Sequence, residues 1–108
     1  MDFQFNTDNN IDGTAVLADR IETGLRSTLA RHADQLTRLI VHVREETEDR
    51  YTASLEARIE GQQPQAVTAS GGSVDGVAFE AGEKMERLLT SHFGKLDARR
   101  QPEPDTIG

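Results

Sequence analysis

The chain has 108 residues, 29% of them charged, with a formal net charge of -7 and neither cysteine nor tryptophan. That length supports one domain around one modest, mostly aliphatic core, and the absence of cysteine excludes disulfide staples, thiolate metal sites and cysteine nucleophiles. No apolar run approaches the roughly 18 residues of a membrane span, and the acidic, polar opening MDFQFNTDNN is unlike a secretory leader, so a cytoplasmic location is expected.

Phe3 and Phe5 alternate with Asp2, Gln4 and Asn6, which predicts a short strand. The following TDNNIDGT is turn chemistry, in which Asp12 or Thr14 caps a helix. From Val16 to about Leu36 the apolar positions Leu17, Ile21, Leu25, Leu29, Ala33 and Leu36 form one stripe, and one helix is expected over that whole stretch. Gly24 weakens it by about 1 kcal/mol relative to Ala. Thr37 to Glu46 then alternates, with Leu39, Val41 and Val43 on one side and Arg38, Ile40, His42 and Arg44 on the other. EETEDR is a charged turn. Tyr51 to Gly61 alternates again, GQQPQ is a second turn, and Ala66 to Ser70 is a short strand. In GGSVDG, Ser73 or Asp75 caps a last helix from about Asp75 to Ala98, with Ala78, Ala81, Met85, Leu88, Leu89, His92 and Leu96 as its apolar positions.

The order is β-α-β-β-β-α, an α+β two-layer sandwich. The helical crossover makes the first two strands parallel, and the short turns make the others antiparallel hairpins. The expected architecture is a four-stranded mixed sheet of order 1-2-3-4 with two roughly parallel helices on one face. Residues 1–98 form the single domain, and 99–108 a short polar tail expected to be disordered.

Catalytic signals are weak. His32, His42 and His92 fall on three elements without metal-ligand spacing, and GGSVDG lacks the Lys-Ser/Thr of a P-loop. No G-x-S-x-G is present, and the acidic turn lacks the calcium-loop pattern. No enzyme activity, metal or cofactor is expected.

Positive charge concentrates in two segments that read as helices. Residues 15–38 carry four arginines against three acids, and residues 84–100 carry five basic residues against Glu86 and Asp97. Lys84, Arg87, Ser91, Lys95 and Arg99 are spaced 3-4-4-4 and form one stripe, with Arg100 beside its end. On the first helix Arg20, Gly24, Ser27 and Arg31 are spaced 4-3-4, with Arg26 nearby. Two readings stand side by side: a surface for phosphates, or ordinary solvated helix exteriors whose basic end suits the helix dipole.

The pattern resembles the ribosome hibernation-promoting factor and ribosome-associated inhibitor family in its short single-domain form. The resemblance covers about residues 3–97. It rests on the element order, the Asn9-Asn10-Ile11-Asp12 turn, the run Leu25 to Leu36, the strand TRLIVHV and the closing GEKMERLLTSHFGKL. It implies a non-enzymatic protein that binds the small ribosomal subunit where mRNA and tRNA sit, silencing translation under stress. By that resemblance the rRNA-contacting residues are Lys84, Arg87, His92 and Lys95 and, more loosely, Arg20, Arg26 and Arg31. Arg99 and Arg100 join them from the charge stripe. The implied partner is rRNA phosphate of the small subunit, with no membrane or small-molecule substrate, and a monomer is expected. Thr90, Ser91 and Phe93 stand where relatives often carry Lys or Arg, and EETEDR is acidic where many are basic. These departures support an alternative, a protein-binding regulatory module that kept the fold and lost rRNA.

Overall fold

Alternation along the chain builds the sheet. In β2 (Leu36–Thr47) Leu39, Val41 and Val43 are buried while Arg38, His42 and Arg44 are exposed. In β3 (Arg50–Ile59) Ala53, Leu55, Ala57 and Ile59 are buried against exposed Ser54 and Arg58. β1 (Asp2–Thr7) runs parallel to β2, with Phe3 beside Leu39 and Phe5 beside Val41. β3 is antiparallel to β2 and β4 (Gln65–Gly71) antiparallel to β3, giving the order β1-β2-β3-β4. The β3–β4 turn passes through Gly61 at φ +73°, a conformation that side chains with a Cβ resist. The computed structural model describes residues 1–8 and 14–100, with Thr14 and residues 95–100 as backbone only. The expected cap at Asp12 or Thr14 and the 101–108 part of the tail therefore lie outside the described residues.

The two helices are α1 (Thr14–Thr28) and α2 (Val74–Arg100). Sequence periodicity placed one helix from Val16 to about Leu36; α1 instead ends at Thr28 and Leu36 opens β2. Between them, Ala30–Gln35 tightens into 3-10 turns. Leu29 N–H still donates to Leu25 O at 2.9 Å, but His32 N–H donates to Leu29 O at 3.0 Å, one residue closer along the chain. Three-residue turns keep Leu29 and His32 facing the core, and Leu36 is buried at the start of β2, so the apolar spacing runs on past the helix. α2 starts as the sequence suggests: Ser73 Oγ accepts from Gly76 N–H at 3.1 Å, and Asp75 Oδ1 accepts from the same group at 2.9 Å. It extends two residues past the expected end at Ala98.

Both helices cover one face of the sheet. Ile21, Leu25 and Leu29 from the α1 side and Val77, Ala78, Ala81, Met85 and Leu89 from α2 are buried with the sheet's inward residues. Each fully buried Leu, Val, Ile or Met stabilises by roughly 1.5–3 kcal/mol. The helices meet through two reciprocal contacts. Gly24 faces Phe79 so closely that an added Cβ would sit 2.5 Å from Phe79 Cε1, and Gly82 abuts the Leu25 side chain. Gly24, unfavourable for a lone helix, is what lets the pair approach. β4 is an edge strand, and Lys84 Nζ from α2 donates to its Thr68 O at 2.8 Å. Among the described residues no helix is long and apolar enough to cross a membrane.

Candidate nucleic-acid interface

Successive cross-helix contacts fix how the basic surface is assembled. Arg20 meets Asp75, Gly24 meets Phe79, Arg31 meets Glu86 and His32 meets Thr90. Residue numbers rise together on both elements, so the helices run parallel, and both contribute to one outer surface.

The acids of that surface hold most of its predicted bases. Arg20 Nη1 lies 3.2 Å from Asp75 Oδ2. Arg26 Nε lies 2.8 Å from Glu22 Oε2, and its Nη2 donates to Met1 O at 3.1 Å. Arg31, which the fold places on the 3-10 segment rather than on α1, has Nη1 3.3 Å from Glu86 Oε2. Lys84 donates to Thr68 O and has Glu80 3.9 Å away. Arg87 differs: it is exposed and, among the described residues, neither ion-paired nor hydrogen-bonded. Lys95, Arg99 and Arg100 fall on the last turns of α2, and their side chains lie outside the described residues. Exposed pairs of this kind contribute only about 0–1 kcal/mol, so their main effect is to occupy guanidinium donors that a phosphate would otherwise take.

A second function of Glu86 and Thr90 is invisible in the sequence pattern. Glu86 Oε2 accepts from Thr90 Oγ1 at 3.0 Å and from Arg31 Nη1 at 3.3 Å, and lies 3.7 Å from His32 Nε2. Nε2 of His32 is also 3.2 Å from Thr90 Oγ1. Thr90 therefore belongs to a polar junction that ties the 3-10 segment to α2. Burial lowers the His32 pKa below its usual 6.5, against the pull of Glu86. The Thr90 hydrogen bond, with Arg31 adding to it, lowers Glu86 below 4.5.

The sign follows from which state binds protons more readily. Unfolded His32 protonates at a higher pH than folded His32, so its contribution is full above pH 6.5 and is lost as pH falls through its lower folded value. Glu86 acts in the same direction from pH 4.5 downward. The expected result is a melting temperature that drops between about pH 7 and pH 5, with a shallower drop in His32→Gln. Equal drops in the two proteins, followed by thermal denaturation, would exclude His32 as the cause.

His92 is half-buried, with Nε2 2.6 Å from Gln62 Oε1 and its ring edge-on to Phe93 at 5.3 Å between centroids. Phe93 is half-buried, packs against the core and lies 5.4 Å from the His32 ring. Gln65, Leu88, Ser91 and His92 line an open depression of about 250 Å³, below the 300–1,000 Å³ usual for small-ligand pockets. Among the described residues no three His, Asp or Glu side chains converge as metal ligands.

Neither a protein-family model nor a curated protein matches the sequence. Solved structures do. The Thermus thermophilus Protein Y N-terminal domain superposes with a TM-score of 0.69 at 15% identity, over 85% of this chain and 99% of that one. A ribosomal subunit interface protein from Coxiella burnetii superposes with a TM-score of 0.67 at 11% identity, over 87% of this chain and 99% of that one. The three share one fold. The likeness spans nearly the whole of both solved chains. At these identities it is a likeness of architecture, and the residues of the basic surface must be judged on their own geometry.

Proposed function

We propose that the protein is a ribosome-associated translation inhibitor of the hibernation-factor kind, acting in the cytoplasm on the small ribosomal subunit near the decoding region. The observation that carries this reading is the shared fold with a protein described as a ribosomal subunit interface protein, at nearly full coverage of that chain. The mechanism is steric. A rigid two-layer domain occupies space needed by mRNA and tRNA, while basic residues contact rRNA phosphates. Arg87, which the fold leaves without a partner among the described residues, is the leading contact on the helix layer. Lys95, Arg99 and Arg100 extend the contact toward the end of α2. Arg20, Arg26 and Arg31 join only by exchanging an internal carboxylate for a phosphate. No cofactor or small-molecule substrate is required, and a monomer suffices.

Co-sedimentation with purified small subunits in sucrose gradients tests this reading. The protein is expected in the subunit fraction at low salt and to leave it as salt rises, because each neutralised phosphate releases counterions. Absence from that fraction even at low salt overturns the proposal. The internal pairing of Arg20, Arg26 and Arg31 favours a second reading, a regulatory module that binds protein. Recovery of one protein partner without rRNA in a pull-down would support that reading instead.

A further inference from the structure

The open face of the sheet carries guanidinium groups that the fold pairs only loosely, without a hydrogen bond. In the β2–β3 register Arg38 stands directly opposite Arg58, and both are exposed on the face away from the helices. Like charges facing one another across strands are unfavourable. Arg20, Arg26, Arg31 and Arg44 each donate a hydrogen bond to a carboxylate. Among the described residues Arg38 and Arg58 donate none. Their nearest carboxylate oxygens, on Asp2 and Glu56, lie 3.5 Å and 3.7 Å away. The two side chains are 46% and 52% exposed, so their donors are open to a ligand.

We propose that Arg38 and Arg58 form a phosphate-binding pair on the sheet face, contacting the backbone of the same RNA that Arg87 contacts from the helix layer. The inference rests on the ribosome-binding reading above. Each guanidinium offers five N–H donors in a planar fork, and a phosphate between two of them satisfies both and cancels their repulsion. The next outward pair in the register is Ile40 with Glu56, and beyond it lie Ala66, Ser54 and Thr68, short side chains over which a nucleic-acid backbone can come close. Phe3, Phe5 and Tyr51 pack toward the helices, which leaves His42 as the one ring on this face among the described residues, and phosphate is the group the face suits. A domain wedged in an RNA-lined channel is gripped on two sides, one per layer.

The test measures binding to purified small subunits across a salt series for wild type, Arg38→Gln/Arg58→Gln and Arg44→Gln. Arg44 shares the sheet face but is hydrogen-bonded to Glu46. The double variant is expected to lose at least about tenfold in affinity at low salt, and its log–log salt slope to fall by about 0.7 or more, the value of one phosphate contact. Its melting temperature should equal or exceed wild type, since the cross-strand repulsion is gone. Arg44→Gln should keep the wild-type slope. A wild-type slope in a folded double variant overturns the pair while leaving ribosome binding intact. An equal loss in Arg44→Gln also overturns it, since any charge on the face would then serve. Failure of wild type to bind overturns the underlying reading and this inference together.

Discussion

Leu25→Ala is expected to lower the unfolding free energy by about 2–5 kcal/mol, the usual range for emptying a fully buried leucine site. Leu25 is 0% exposed, and its side chain fills the space left open by Gly82 on the facing helix. The surrounding atoms belong to two helices held by reciprocal contacts, so collapse around the void is limited. In a domain of this size each kcal/mol shifts the melting temperature by roughly 4–8 °C, and the variant should melt at least about 8 °C below wild type. Adding Gly82→Ala to Leu25→Ala puts a methyl group into the vacated space and should recover part of the loss. Gly82→Ala alone forces its new Cβ into Leu25 and should destabilise by about 1–3 kcal/mol. A double variant no more stable than Leu25→Ala, by denaturant titration, would mean that the two positions do not share one packing site.

The second large effect is on binding. Arg87→Glu is expected to weaken association with small subunits about ten- to a hundredfold at low salt, from loss of one charge-assisted phosphate contact. Repulsion of the introduced carboxylate adds to that loss. Arg87 is exposed and has no carboxylate partner among the described residues, so stability should change by no more than about 0.5 kcal/mol. Arg31→Glu makes the informative contrast. It places a carboxylate beside Glu86 and His32, and should disturb stability and its pH dependence together. If Arg87→Glu sediments with subunits like wild type across the salt series, α2 does not grip through this residue.

The sheet was legible because period-two alternation leaves little choice. Leu39, Val41 and Val43 against Arg38, His42 and Arg44 set the faces of β2, and the short turns set the pairing. The end of α1 was not legible. A stripe spaced by three and four residues fits both an α-helix and an α-helix continued as 3-10 turns, and Leu36 is buried either as the last stripe residue or as the first strand residue. The candidate site was only half readable. Helical spacing does place the bases along two helix exteriors, but the carboxylate partners of Arg20 and Arg31, Asp75 and Glu86, each lie 55 positions away in the chain. Thr90 reads as a lost positive charge until the fold brings it to His32. Arg38 and Arg58 read as solvent-facing strand residues, and only the register sets them opposite one another.

The bond from Lys84 to Thr68 O reaches beyond the domain itself. β4 is a seven-residue outer strand, QAVTASG, without a charge or a proline, which is the kind of edge along which copies of a protein stack into aggregates. The Lys84 ammonium, seated on that strand's backbone, is a sentry against such stacking. Neutralising that lysine is expected to leave the edge open to stacking in concentrated protein.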